Sequence, residues 1–98
     1  MDAYQLTAEV LKTLGHPARL QIHEVLAEEG ETCDCQMEWR LGLRQAYLSQ
    51  QCARLREVGL VNDQRHGLNI FYRLAAPEIA GLISGPTVET SGSELPAD

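Results

Sequence analysis

Ninety-eight residues suffice for one domain with a thin core, one that buries about 60–65% of its unfolded surface, so help from a second subunit is expected. No run approaches the ~18 consecutive apolar residues of a membrane span, and Met1-Asp2-Ala3-Tyr4-Gln5 lacks the basic and apolar stretches of a secretion signal; a soluble cytoplasmic protein without membrane contact is expected. The net charge of −6 would argue against nucleic acid if it were evenly spread, but residues 40–73 carry +4, with six arginines against Glu57 and Asp63, while the flanking segments are acidic.

Leu6, Val10, Leu11 and Leu14 recur at helical spacing, so a first helix is predicted from Tyr4 to Leu14, stopped by Gly15. Pro17 suits the first turn of a second helix with apolar Leu20, Ile22, Val25 and Leu26, ending near Gly30. Thr32 is the expected N-cap of a third helix over Cys33 to Leu41, with Met37 and Leu41 inward and Trp39 packing on it, before Gly42 breaks the pattern. A fourth helix is predicted from Arg44 to Val58, with Leu48, Cys52 and Leu55 on one face and Gly59 at its end.

The period then shortens. Leu60 to Arg65 and Asn69 to Leu74 read as two strands around His66-Gly67-Leu68, a hairpin. Pro77 opens a fifth helix, Glu78 to about Ile83, and residues 85–98 are polar and acidic with little to bury, a predicted disordered tail. The expected fold is therefore mainly α with a small β-hairpin, in the order ααααββα, over residues 1–84. Two short helices joined through a glycine turn and followed by a hairpin make a winged helix-turn-helix, whose second short helix enters the major groove.

On this reading the fourth helix turns Gln45, Tyr47, Ser49, Gln50 and Arg54 away from Leu48 and Leu55. Gln can bond adenine in bidentate fashion and Ser can serve any base, so Gln45, Ser49 and Gln50 are the base-reading candidates, with Tyr47 flanking. Arg44, Arg54 and Arg56 are phosphate candidates, and Arg65, His66 and Arg73 are wing candidates. No phosphate loop, acid and base pair or nucleophile elbow is present, so no enzyme is expected. Apolar residues on the first helix (Leu6, Val10, Leu11) and the last (Ile79, Leu82, Ile83) predict a two-fold homodimer, which suits palindromic operators.

Several landmarks resemble the ArsR/SmtB family of bacterial metal- and metalloid-responsive repressors over about residues 5–83: Leu14-Gly15-His16-Pro17-Ala18-Arg19-Leu20, Gln45 through Leu48-Ser49 to Leu55-Arg56-Glu57-Val58-Gly59-Leu60-Val61, and Arg65-His66-Gly67 with Phe71-Tyr72-Arg73-Leu74. Cys33-Asp34-Cys35 sits where arsenic- and cadmium-type members carry a Cys-x-Cys motif opening the third helix. The resemblance implies a repressor that leaves its operator when a soft ion binds there: arsenite or antimonite, or a soft divalent metal. The chain also departs from the family. Glu38 stands where arsenic-type members often have a third cysteine, residues 1–32 hold no cysteine, and the last helix offers only Glu78 as a ligand.

Three cysteines, an odd count in a reducing compartment, suit ligands or sensors better than a disulfide framework. A helix N-terminus lowers thiol pKa, which favours thiolates at Cys33 and Cys35, although Asp34 opposes this. In a regular helix two residues two apart point about 200° from one another, so gripping one ion, or forming a disulfide, is expected to require distortion of the first turn. Cys52 reads as a core cysteine; as a third ligand it would have to face the third helix of its own subunit. Two other readings remain open: a thiol redox sensor of the same fold, and a winged interaction module that does not read DNA.

Overall fold

In the computed structural model, residues 2–83 are described; the side chains of Leu82 and Ile83 and the tail expected over 85–98 lie outside that set. The elements run α1 (Ala3–Leu14), α2 (Pro17–Glu29), β1 (Thr32–Cys33), α3 (Asp34–Leu41), α4 (Gln45–Glu57), β2 (Val61–His66), β3 (Asn69–Leu74) and α5 (Glu78–Ile83). The helical order and the hairpin agree with the sequence pattern. β1 does not: it adds a third strand, giving an antiparallel sheet ordered β1-β3-β2.

Local chemistry explains the helix boundaries. Asp2 and Gln5 cap α1 reciprocally, the Gln5 N–H donating to the Asp2 carboxylate at 2.8 Å and the Asp2 N–H to Gln5 Oε1 at 3.1 Å. His16 caps α2, its Nδ1 accepting from the Ala18 N–H at 3.2 Å, and Pro17 occupies the position where a missing N–H costs nothing. Between α3 and α4 the chain turns at Gly42, whose φ of 68° is the left-handed conformation that ends a helix at little cost without a Cβ.

One apolar core holds the elements together. Leu14 of α1, Ile22, Val25 and Leu26 of α2, Met37 of α3, Leu48, Cys52 and Leu55 of α4, and Leu60, Val61 and Tyr72 of the wing are buried together. At roughly 1.5–3 kcal/mol for each fully buried aliphatic side chain, the six fully buried Leu, Ile and Met residues of this set hold α2, α3, α4 and the start of the wing together. Trp39 takes no part in it. Expected to pack, it is 88% exposed, because α3 turns only Met37 fully inward and leaves Trp39 on its solvent side.

Candidate functional site

The third helix starts one residue later than the pattern suggested, and that shift decides the geometry of the cysteines. Thr32 is no N-cap; it pairs with Tyr72, while Cys33 pairs with Phe71 and becomes the N-cap in extended conformation (φ −83°, ψ 159°). The Cys33 N–H donates to Gln36 Oε1 at 3.1 Å. Because Cys33 is extended and only Cys35 is helical, the 200° separation of a regular helix does not apply. The two sulfurs face one another and are in direct contact. The expectation that their side chains diverge is thereby corrected.

Asp34 lies between them, its buried carboxylate accepting from the Cys35 N–H at 2.8 Å. Ligand atoms of Cys33, Asp34 and Cys35 all fall within 4.8 Å of one another. Cys33 is buried and Cys35 exposed, so the group opens to solvent on one side. The expected lowering of both thiol pKa values fails at Cys35, whose thiol is pushed up: the hydrogen bond with Cys33 leads, followed by partial burial and the charges of Cys33 and Asp34. At Cys35 the neutral thiol is therefore favoured.

Cys52 is elsewhere. It is 1% exposed in the middle of α4, inside the apolar core that also holds Tyr72, and burial pushes its thiol up to about 12. The same burial, with Cys52 and Asp63 close by, pushes the Tyr72 hydroxyl up. Cys52 is absent from the cluster formed by Cys33, Asp34 and Cys35.

The other surface belongs to α4 and the wing. Gln45, Tyr47, Ser49, Gln50 and Arg54 are exposed on α4 while Leu48, Gln51, Cys52 and Leu55 are buried, the division that the spacing predicted. Arg19 and Gln51, which sequence reasoning passed over, set the helix's seat: Arg19 Nε donates to Gln51 Oε1 at 2.8 Å, and Nη1 donates to the Thr13 carbonyl at 3.2 Å, tying α1, α2 and α4. β2 and β3 are closed by Gly67-Leu68, with Gly67 at φ 64°, a left-handed first turn position that suits a two-residue hairpin. His66 packs edge-on to Phe71, ring centroids 5.4 Å apart, which stiffens the wing.

The arginines divide into two groups. Arg40 pairs with Glu28 and Glu29, Arg54 lies 3.7 Å from Glu57, and Arg56 pairs with Asp63 across α4 and β2. Arg44, Arg65 and Arg73 are exposed and have no carboxylate partner among the described residues. On α1, Tyr4, Leu6 and Leu11 are 88%, 52% and 61% exposed, and Leu6, Val10 and Leu11 line an apolar groove with Ile79 of α5.

A helix-turn-helix with an exposed polar face on its second helix, flanked by a three-stranded basic wing, defines a winged helix-turn-helix DNA-binding regulator. The model of the arsR family of bacterial regulatory proteins matches residues 16–63. The chain is 42% identical over 81 residues to an HTH-type transcriptional regulator of Mycobacterium tuberculosis, covering 83% of this chain and 71% of that one. It is 49% identical over 76 residues to the biofilm growth-associated repressor of Agrobacterium fabrum, covering 78% of this chain and 64% of the repressor. Among solved structures, the homodimeric winged helix-turn-helix DNA-binding domain of a possible ArsR-family regulator from Mycobacterium bovis matches with a TM-score of 0.72 at 32% identity, over 81% of this chain and 72% of that one. The chain belongs to the arsR family: it is a transcriptional regulator, and not an enzyme. Among the described residues no helix is long and apolar enough to cross a membrane.

Proposed function

We infer that this chain is a cytoplasmic repressor that binds a palindromic operator as a homodimer and lets go when a soft metal or metalloid ion, arsenite or antimonite first among them, takes Cys33 and Cys35 as thiolates. The observation that carries the reading is the facing pair of sulfurs with one open side. A tetrahedral zinc-type ion with metal–sulfur bonds of about 2.3 Å holds two ligand sulfurs about 3.8 Å apart, so the two sulfurs, in contact in the free protein, must open to take an ion. Exposed Cys35 can swing outward; Cys33, tied to β3, resists. Asp34 or an external thiol can supply the third donor, and Cys52, held in the core, is not one.

On the DNA side, Gln45, Ser49 and Gln50 read bases with Tyr47 beside them, while Arg44, Arg65 and Arg73, with His66, hold phosphates. Arg54 and Arg56 contribute less than the other arginines because their charges are partly answered by Glu57 and Asp63. The apolar groove of α1 and α5 serves a second subunit; the similar Mycobacterium bovis domain is a homodimer.

The same sulfur contact favours a second reading, in which an oxidant removes two electrons and two protons from Cys33 and Cys35 to join them as a disulfide. One titration separates the two. Operator-bound protein is treated with arsenite, antimonite, cadmium, lead and zinc, and separately with peroxide. Release by an ion in the presence of a phosphine reductant supports the metalloid reading, and release by peroxide alone, with a two-proton mass loss, supports the redox one.

A further inference from the structure

Trivalent arsenic makes three single bonds, and Cys33 and Cys35 offer it two. The chain's remaining cysteine, Cys52, is buried in the core outside their cluster, and Glu38 stands three residues beyond Cys35. Asp34, the other member of the cluster, is a hard oxygen donor whose carboxylate already accepts the Cys35 N–H. An inorganic ion must therefore look to Asp34 or an external thiol for its third bond. An arsenic that already carries one bond to carbon needs only the two sulfurs, and its organic group has to lie on the open side of the pair, where Cys35 is exposed. That side carries an aromatic surface. Cys35 and Trp39 are four apart on α3, so they lie on one face of the helix, one turn from each other. Helical side chains lean toward the N-terminus of their helix, which tilts Trp39 back over the turn that holds Cys35. Trp39 is 88% exposed, and Arg40, the neighbouring cation, is engaged by Glu28 and Glu29.

We propose that the site's preferred ligand is a trivalent arsenical bearing one aromatic group, bonded by Cys33 and Cys35 through sulfur and received by Trp39 through its ring. The proposal rests on the reading of Cys33 and Cys35 as the sensor and names the class of ligand that the sensor takes. The bonding step balances without an oxidant or reductant: R–As(OH)2 and two Cys–SH give R–As(S–Cys)2 and two waters. Two As–O and two S–H bonds break, two As–S and two O–H bonds form, and arsenic stays trivalent. The aromatic group then covers indole surface that otherwise faces water, and an offset or edge-on ring pair adds about three- to tenfold in affinity. Arsenite has no group that can make this contact, and a methyl substituent has no ring.

Phenylarsonous acid, methylarsonous acid and arsenite are each partitioned between the free protein and a soluble dithiol, and adducts are counted by native mass spectrometry. Affinities taken relative to the same dithiol cancel the intrinsic preference of any thiol pair. On that scale the parent should take one phenylarsenic group per chain and bind it about three- to tenfold tighter than methylarsonous acid. Trp39→Ala should remove that preference and leave arsenite and methylarsonous acid within about twofold of the parent, and Trp39→Phe, which keeps a ring, should restore most of it. An equal effect of Trp39→Ala on all three ligands, or no effect on phenylarsonous acid, overturns the role of Trp39. Release of operator by the same three ligands, read by fluorescence anisotropy, tests the underlying reading separately. If phenylarsonous acid binds in a Trp39-dependent way while no arsenical releases the operator, the inducer reading falls and the ligand assignment stands. If arsenite releases the operator while Trp39→Ala leaves phenylarsonous acid binding unchanged, the ligand assignment falls and the inducer reading stands.

Discussion

Salt dependence gives the sharpest test of how the arginines are assigned. Arg44, Arg65 and Arg73 face solvent without a carboxylate partner among the described residues, whereas Arg56 is paired with Asp63. A dimer offers each unpaired arginine twice, so six phosphates are neutralised if all three bind. At about −0.9 per phosphate, the slope of log Kobs against log salt is about −5, which is a loss of about a thousandfold in affinity between about 50 and 200 mM salt. Arg65→Ala removes two of the six charges and should flatten the slope by about 2. Arg56→Ala should flatten it by clearly less, since an arginine already shared with a carboxylate displaces fewer counterions, and it also frees Asp63. Fluorescence anisotropy with operator and with random duplex, across a salt series, reads both slopes. Equal flattening by the two substitutions would refute the division of the arginines into free and engaged groups.

Cys35→Ser should bind operator as the parent does yet fail to release it on adding inducer, measured by gel shift; Trp39, exposed and one helical turn from Cys35, should report inducer binding by fluorescence in the parent only. Leu11→Glu places a carboxylate in the exposed α1 groove and should turn a micromolar dimer into a monomer by light scattering, since losing the same leucine on two subunits costs about 3–6 kcal/mol, about a hundred- to ten-thousandfold in Kd. His23 is buried with Nε2 unpartnered, and burial lowers its pKa below 6.5, so the folded state holds it neutral. Its contribution is complete above pH 6.5 and is lost as the pH falls below that value, by at most about 1.4 kcal/mol per pH unit; urea unfolding should show this fall, and His23→Leu should flatten it.

The helices, the hairpin and the exposed face of α4 were legible because each is written in local periodicity. Leu48, Cys52 and Leu55 recur at helical spacing and are buried, and the residues set opposite them are exposed. Arg56 shows the limit of such reading. Its position on the helix is a local fact, but its pairing with Asp63 depends on how the wing folds back on α4, which no spacing records. Trp39 fails for the reverse reason: an apolar side chain on a short helix was assigned to packing, although Met37, with Leu41 beside it, already fills that place.

β1 was the consequential omission. Two residues cannot carry a strand pattern, and Thr before a polar turn reads equally well as a helix cap. What decides the matter is the vacant edge of β3, which takes Thr32 and Cys33 as partners and holds Cys33 extended. From that one tertiary pairing follow the facing sulfurs, the raised pKa of Cys35 and the physical link from the cysteines to the wing. A Cys-x-Cys pair wholly within a helix would present diverging sulfurs, and an ion would have to unwind the turn to bind both. With the first cysteine held on a sheet edge, the proposed ion would have only to open an existing contact, against the resistance of the wing sheet. On that proposal the cost of binding falls on the wing sheet, whose β2 packs against the recognition helix, which is the condition for a ligand at one site to change affinity at the other.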